Sequence, residues 1–96
     1  MIKVVAKNYI KAGKESEFIV LAKKLVEATN QNDEGCIKYE LFQEINSPNV
    51  FTIIEEWQDQ ETLDKHMASM HFKEIVPLFG NFTEKQGEIN IYKKVE

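Results

Sequence analysis

The spacing of apolar residues switches between two periods along this chain, and that switching constrains its fold most. In four segments apolar and polar residues alternate one by one, which is typical of strands with one covered face. Two further segments repeat apolar residues every three to four positions, which is typical of helices that pack one side. Strands are predicted at 2–9, 36–45, 50–57 and 84–94, and helical segments at 14–31 and 59–79. The predicted order is therefore β-α-β-β-α-β.

Residues that favour turns and caps separate these segments. Gly13 ends the first strand, and four turn-forming residues at 46–49 join the second and third strands into an antiparallel hairpin. Asp59 is a suitable N-cap for the second helical segment. Ser69 could cap a continuation of it, and Pro77 should kink or end that continuation. The second helical segment is therefore expected as two short pieces.

This order predicts a single ferredoxin-like α+β domain over residues 1–96, with one antiparallel four-stranded sheet and the helices on one face. The strands nevertheless carry apolar residues on both faces. One face would hold Val5, Tyr9, Phe42, Val50, Ile54 and Tyr92, and the other Val4, Ile37, Ile53 and Ile89. Because one helix layer covers only one face, a second apolar face implies a partner. We expect a homodimer that associates through the sheet.

The charge of the chain excludes some classes of function. The net charge is −4, and all 12 basic residues are Lys. A mildly acidic chain without Arg lacks the cationic surface of a nucleic-acid binder and the bidentate fork that holds phosphate. Cys36 is the only cysteine, no apolar run is long enough to span a membrane, and the first strand leaves no room for a signal peptide. We therefore expect a cytoplasmic protein that binds neither nucleic acid nor membrane.

The stretch from Glu55 to Phe72 holds the only Trp and both histidines of the chain. Trp57 ends a strand and His66 lies on the apolar side of the next helix, so the two are expected to line one space between sheet and helices. His66 is the best candidate for proton transfer, because imidazole titrates near neutral pH. The alternative is a His packed in the core. His71, near a helix start, is expected to cap or pack.

Two strand residues are further candidates for a ligand site. Asn8 is an amide within an apolar strand face, so it either ties down a loop or offers a hydrogen bond to a ligand. Tyr39 would contribute only if its hydroxyl reached the cavity. The i, i+5 spacing of His66 and His71 is poorly phased for one metal ion, and no fingerprint of a flavin, nicotinamide or phosphate site is present. We expect neither metal nor cofactor.

Two motifs resemble the antibiotic-biosynthesis monooxygenase family. The first is Trp57-x8-His66-x4-His71-Phe72, preceded by Glu55-Glu56. The second is the run from Asp33 to Leu41, Asp-Glu-Gly-Cys-Ile-Lys-Tyr-Glu-Leu. The resemblance covers nearly the whole chain and implies a dimeric α+β barrel with a separate cavity in each subunit.

The resemblance also implies a function. Some members of the family oxidise quinols or polycyclic phenols with O₂ and without a prosthetic group. In this sequence His66 would be the catalytic base, and Trp57, Asn8, Tyr39 and His71 would be the substrate-binding candidates. Because a deprotonated quinol can itself reduce O₂, such an oxidoreductase needs a base, hydrogen-bond donors and a dry pocket.

Departures from the family pattern leave alternatives open. Some members bind substrate with an Arg, which this chain lacks, so a Lys would have to substitute. Haem-degrading members have a ligating His just after the Phe-Lys pair, whereas Glu74 follows Phe72-Lys73 here, which argues against haem degradation. Two other readings remain. One is an acid–base isomerase of a small signalling metabolite, and the other is a dimeric module that binds a hydrophobic metabolite without converting it.

Overall fold

A computed structural model describes all 96 residues and confirms the predicted order of elements. The elements are β1 (Ile2–Ile10), α1 (Glu15–Asn32), β2 (Cys36–Gln43), β3 (Val50–Trp57), α2 (Gln60–Met67), α3 (Met70–Ile75), a 3₁₀ segment (Val76–Asn81) and β4 (Thr83–Lys93). The fold is ferredoxin-like α+β, with four antiparallel strands in one sheet and three α-helices.

The helix boundaries follow the predicted caps. The Asp59 side chain accepts a hydrogen bond from the Thr62 backbone N–H at 2.9 Å, and the Thr62 side chain closes a reciprocal capping box. The Ser69 hydroxyl caps α3 by accepting from the Phe72 N–H. Pro77 stands at the start of the 3₁₀ segment, where its missing N–H is tolerated. The expected two short helical pieces, ended near the proline, are therefore confirmed.

The sheet has the strand order β2-β3-β1-β4, so β3 and β1 lie at its centre. Their register pairs Val4 with Glu55 and Ala6 with Ile53, and alternation places these four residues on the helix-facing side. The core lies between this side and the helices. Its largest fully buried side chains are Trp57, Phe18, Phe51, Ile10, Leu25 and Thr29.

One residue predicted on the inner face lies elsewhere. The pairing of β2 with β3 shifts between Cys36 and Lys38, so Cys36 lies opposite Trp57. Ile37 falls at this irregularity and is 54% exposed. The prediction that Ile37 shares a face with Val4, Ile53 and Ile89 assumed strict alternation along β2 and was wrong, because a β-bulge inserts an extra residue.

The edge strand β4 is uncovered on both sides. Ile89 and Ile91 pair with Ala6 and Val4 and so belong to the helix-facing side, yet they are 71% and 51% exposed. The helices contact β2 and β3 and leave this edge of the sheet open. No helix in the structure combines the length and apolar character needed to cross a lipid bilayer.

Candidate active site

A cavity of about 310 Å³ lies between the helix-facing side of the sheet and the helices that follow β3. Twelve of its 18 lining residues are hydrophobic. The polar or charged side chains are few: Lys7, Asn8, Glu55, His66 and Gln86, with Tyr39 counted among the hydrophobic residues. An apolar hollow with a few converging polar groups is the usual form of a small-molecule site, and this volume suits a small ligand. A second hollow, of about 350 Å³ near Met1, Lys3 and Tyr92, contains neither histidine.

His66 brings an imidazole to the cavity wall from the buried side of α2. Its side chain is 1% exposed, and its Nδ1 lies 2.5 Å from Oδ2 of Asp33. A carboxylate accepts hydrogen bonds, so Nδ1 carries the proton and Nε2 is left with a lone pair. Nε2 is buried and has no hydrogen-bond partner within the protein. Nε2 has less than 1 Å² of accessible surface, so a ligand in the cavity can become its partner only when the neighbouring side chains shift.

The Asp33 carboxylate is positioned by the end of α1 and by the turn that follows it. The Asp33 backbone N–H donates to the Thr29 carbonyl at 3.0 Å. Gly35, two residues on, has a φ of +83°, which favours glycine. A Cβ at Gly35 would lie 2.4 Å from the Thr62 side chain, so the missing side chain lets this turn approach the first turn of α2.

The same oxygen of Asp33 also contacts His71. His71 Nε2 lies 3.0 Å from Asp33 Oδ2, and the His71 side chain is 18% exposed. The two imidazole rings are 6.0 Å apart between centroids. Asp33 therefore holds a buried and a partly exposed imidazole on one oxygen atom.

Aromatic rings fix the orientation of His66. The Trp57 ring lies 4.7 Å from it at an interplanar angle of 34°, and the Tyr39 and Phe72 rings approach edge-on at 5.1 Å. Burial lowers the pKa of His66, while the hydrogen bond and charge of Asp33 oppose that shift. The ring is thus neutral near pH 7, which is the form that can accept a proton.

Glu55 places a carboxyl group in the same cavity from the centre of β3. Glu55 is only 6% exposed, and its Oε1 accepts a hydrogen bond from Trp57 Nε1 at 2.9 Å. Burial raises the pKa of Glu55 to about 7, although the Trp57 hydrogen bond lowers it. Glu55 can therefore be protonated or ionised close to neutral pH.

Asn8 reaches the cavity at an irregularity of β1. The pairing of β1 with β4 shifts between Lys7 and Tyr9, at the level of Gly87. A Cβ at Gly87 would lie 2.5 Å from the Lys7 carbonyl, so this close approach of the two strands requires glycine. The Asn8 amide donates only a long 3.4 Å hydrogen bond, to the Ala6 carbonyl. Its amide thus retains hydrogen-bonding capacity.

Asp33, His66 and His71 are the group whose side-chain atoms could share a metal ion, since one ligand atom of each lies within 4.8 Å of the others. The separations fit hydrogen bonds better. Two ligands on one Zn²⁺ at bond lengths of about 2.0–2.2 Å in tetrahedral geometry would be separated by more than the 2.5 Å found between Asp33 and His66.

The structure brings three of the five predicted site residues to the cavity: His66, Tyr39 and Asn8. Trp57 and His71 do not line it. Trp57 has no exposed surface and packs behind His66 and Glu55, so the expectation that indole and imidazole line one space was wrong for the indole. The indole fills the core and presents its N–H to Glu55 instead. His71 lies beyond Asp33.

Asp33 and Glu55 were not among the predicted site residues. Asp33 lies 33 positions before His66, and its local setting is that of a helix end. For Glu55 the sequence does contain a signal, because the alternation along β3 places it on the same face as Trp57. Lys7 is the only cationic residue at the cavity, but by the alternation of β1 its side chain belongs to the other face.

Comparisons with known proteins agree with this fold. The family model described as antibiotic biosynthesis monooxygenase matches residues 1–78. A crystal structure of a conserved protein from Methanosarcina mazei has 49% sequence identity and a TM-score of 0.94, covering 98% of this chain and 92% of the other. A crystal structure described as an antibiotic biosynthesis monooxygenase has 35% identity and a TM-score of 0.93, with both chains fully covered.

An uncharacterised protein of Synechocystis, sll1783, is 34% identical over 94 residues, which are 97% of this chain. This chain spans 63% of the length of that relative.

Proposed function

This chain belongs to the antibiotic biosynthesis monooxygenase family, and from that premise we propose that it oxidises a small quinol or phenolic compound with O₂ and without a cofactor. The observation that supports this most is the Asp33–His66 pair beside an apolar cavity. Asp33 accepts from Nδ1 and leaves the buried Nε2 without a partner. This arrangement places a neutral base next to a cavity that is large enough for an aromatic ring.

The chemistry starts with removal of a proton from the substrate. His66 Nε2 takes the proton of a phenolic hydroxyl, and the resulting imidazolium is stabilised by the Asp33 carboxylate. The electron-rich anion that remains can reduce O₂ directly, so the ring itself supplies the electrons. One oxygen atom enters the ring as a carbonyl, which oxidises the phenol to a quinone, and the other leaves as water with the phenolic proton and the ring hydrogen that was replaced. The apolar wall limits side reactions with solvent.

Asn8 and Tyr39 are proposed to orient the substrate, since both line the cavity. Trp57 acts one layer behind, where it packs on the His66 ring and donates to Glu55. His71 supports Asp33 from the more exposed side. The site as proposed uses no metal ion and no haem.

The presence of Glu55 favours a second candidate, an acid–base isomerase. His66 and Glu55 line one cavity, and burial shifts their pKa values in opposite senses, lowering that of His66 and raising that of Glu55 to about 7. A neutral base and a neutral acid in one cavity can shift a proton between two positions of a substrate without O₂. A binding module without turnover is the remaining alternative.

Oxygen consumption with a panel of quinols tests the proposal. The wild-type protein should consume O₂ and the His66→Ala variant should not, while thermal denaturation checks that the variant is folded. Turnover that continues without O₂, with exchange of substrate protons into solvent, would favour the isomerase. Compounds that raise the melting temperature without being converted would favour the binding module.

We further propose that the protein works as a homodimer in the cytoplasm. The face of the sheet away from the helices carries Val5, Tyr9 and Ile54, and Tyr92 there is 51% exposed. A partner sheet would cover this apolar surface. Light scattering of the wild-type protein should give twice the chain mass, and Ile54→Lys should halve it. A stable wild-type monomer at micromolar concentration would contradict the proposal.

A further inference from the structure

Glu55 is a buried carboxyl group that the proposed oxidation does not use. It lies on the central strand β3, on the same face as Ile53 and Trp57, and it forms part of the cavity wall. A residue that only had to accept the Trp57 N–H could be Gln, without the cost of burying an ionisable group. The position of this carboxyl at the cavity therefore calls for an explanation.

The hydrogen bond from Trp57 determines how this carboxyl can act. Oε1 accepts the indole N–H at 2.9 Å, and the carboxyl makes no other hydrogen bond within the protein. An oxygen that accepts a hydrogen bond is the carbonyl-like oxygen of a neutral acid, so the acid proton resides on Oε2. A neutral Glu55 is thus a hydrogen-bond donor with its donor atom free for a ligand.

The neighbours of Glu55 favour this neutral form. Tyr39 pairs with it on β2, Val4 pairs with it on β1, and His66 lies across the cavity wall on α2. No cation contacts the carboxyl, and the Trp57 N–H is the one hydrogen-bond donor that would stabilise its negative charge. Burial raises the pKa of Glu55 to about 7 for this reason. An acid kept neutral in an apolar site can donate to a substrate oxygen.

We propose that Glu55 donates a hydrogen bond from Oε2 to a carbonyl-type oxygen of the ligand, so that the cavity selects ring compounds bearing two oxygens. One oxygen is a hydroxyl that meets His66, and the other is a carbonyl that meets Glu55. This inference rests on the proposed function for the role of His66, and it names the substrate class: hydroxyaryl ketones and quinone-like compounds.

The same contact allows a proton transfer. As His66 Nε2 takes the hydroxyl proton, the O–H bond of Glu55 breaks and its proton moves to the carbonyl oxygen. The substrate gains and loses one proton and stays neutral overall. The carboxylate left on Glu55 keeps its hydrogen bond from Trp57 Nε1, and the imidazolium keeps its contact with Asp33. No oxidant takes part in this step.

A matched pair of ligands tests the inference by binding alone. 4′-Hydroxyacetophenone and 4-ethylphenol have the same shape, but only the first has a carbonyl. In calorimetric titrations at pH 6 the wild-type protein should bind the ketone about tenfold more tightly, because one net hydrogen bond contributes about that factor. Glu55→Leu should lose this preference and still bind 4-ethylphenol.

Glu55→Gln is the conservative control. Its amide oxygen can accept from Trp57 and its amide N–H can donate to the ketone, so the preference should persist. Raising the pH from 6 to 8 should reduce the preference of the wild-type protein but not that of Glu55→Gln. The ligand's own titration affects both proteins equally and cancels in this comparison. If Glu55→Leu does not fold, the pH comparison with Glu55→Gln still decides.

Several outcomes would overturn the inference. They are equal affinities of the wild-type protein for the two ligands, a preference unchanged in Glu55→Leu, a preference insensitive to pH, and no binding of either ligand. None of these measurements involves O₂. A failed ketone preference beside normal quinol oxidation would reject the role of Glu55 alone, and a ketone preference without oxidation would reject only the oxygenase.

Discussion

His66 and His71 contact the same oxygen atom of Asp33 in very different surroundings. The His66 side chain is 1% exposed, lies against Trp57 and forms part of the cavity wall. The His71 side chain is 18% exposed and lies outside the cavity wall. Because the carboxylate is shared, the difference between the two imidazoles comes from burial and from access to the cavity. Their proposed roles, base and support, follow from that difference.

The largest expected effect is a difference in kcat between variants of the two histidines. His66→Gln can keep a hydrogen bond to Asp33 but removes the base, so kcat for quinol oxidation should fall by about 10²–10⁴-fold, the usual contribution of general-base catalysis. His71→Gln removes a neighbour of Asp33 and should lower kcat by less than about tenfold. Steady-state O₂ uptake measures both. Equal losses in the two variants would remove the distinction between base and support.

Asp33→Asn should act on both imidazoles at once. The amide cannot stabilise the His66 imidazolium or fix the tautomer that leaves Nε2 free. Replacing the Asp that orients a catalytic His by Asn can lower kcat by about 10⁴-fold, so we expect a loss of up to that size. Because Asp33 raises the pKa of His66, its loss should also move the acidic limb of the pH–kcat profile to lower pH. An unchanged profile would show that Asp33 does not act through His66.

The sequence predicted the fold more fully than the site, and particular residues show why. Element order and caps depend on local patterns, so Asp59, Ser69 and Pro77 marked the helix ends correctly. His66 was found because it interrupts an apolar helix face. The pairing of Asp33 with His66 and His71 depends on how the turn after α1 meets α2, and no local pattern encodes that approach. The bulge at Ile37 and the open edge at β4 likewise depend on strand pairing and helix coverage.

Gly35→Ala tests how tightly Asp33 must be held between the two histidines. The residue has φ +83°, and a Cβ there would meet the Thr62 side chain at 2.4 Å. A non-glycine residue in this conformation costs about 1–3 kcal/mol, and the clash should displace the turn from α2. Gly13→Ala is the matched control, since Gly13 has φ +88° but open space around it. Chemical denaturation should show a loss of stability in both variants, with a fall in activity only for Gly35→Ala.

The smallest expected effect concerns the pH dependence of stability. Burial lowers the pKa of His66 below its unfolded value of about 6.5, so the unfolded chain binds a proton that the folded protein resists. Above about pH 6.5, His66 therefore leaves the free energy of unfolding unchanged. As the pH falls through about 6.5 towards the folded pKa, His66 lowers that free energy and destabilises the protein. Glu55 works in the opposite sense, because its raised pKa of about 7 stabilises the folded state as the pH falls from 7.

A comparison of the variant with the wild-type protein isolates the contribution of His66 to the pH dependence of the free energy of unfolding. The free energy of unfolding of His66→Gln minus that of the wild-type protein cancels the contribution of Glu55, and this difference should move in favour of the variant as the pH falls from 7.5 to 5. Urea denaturation at several pH values provides the measurement. If this difference did not change between pH 7.5 and 5, the buried His66 imidazole would not resist protonation, and it could not be assigned as the neutral base.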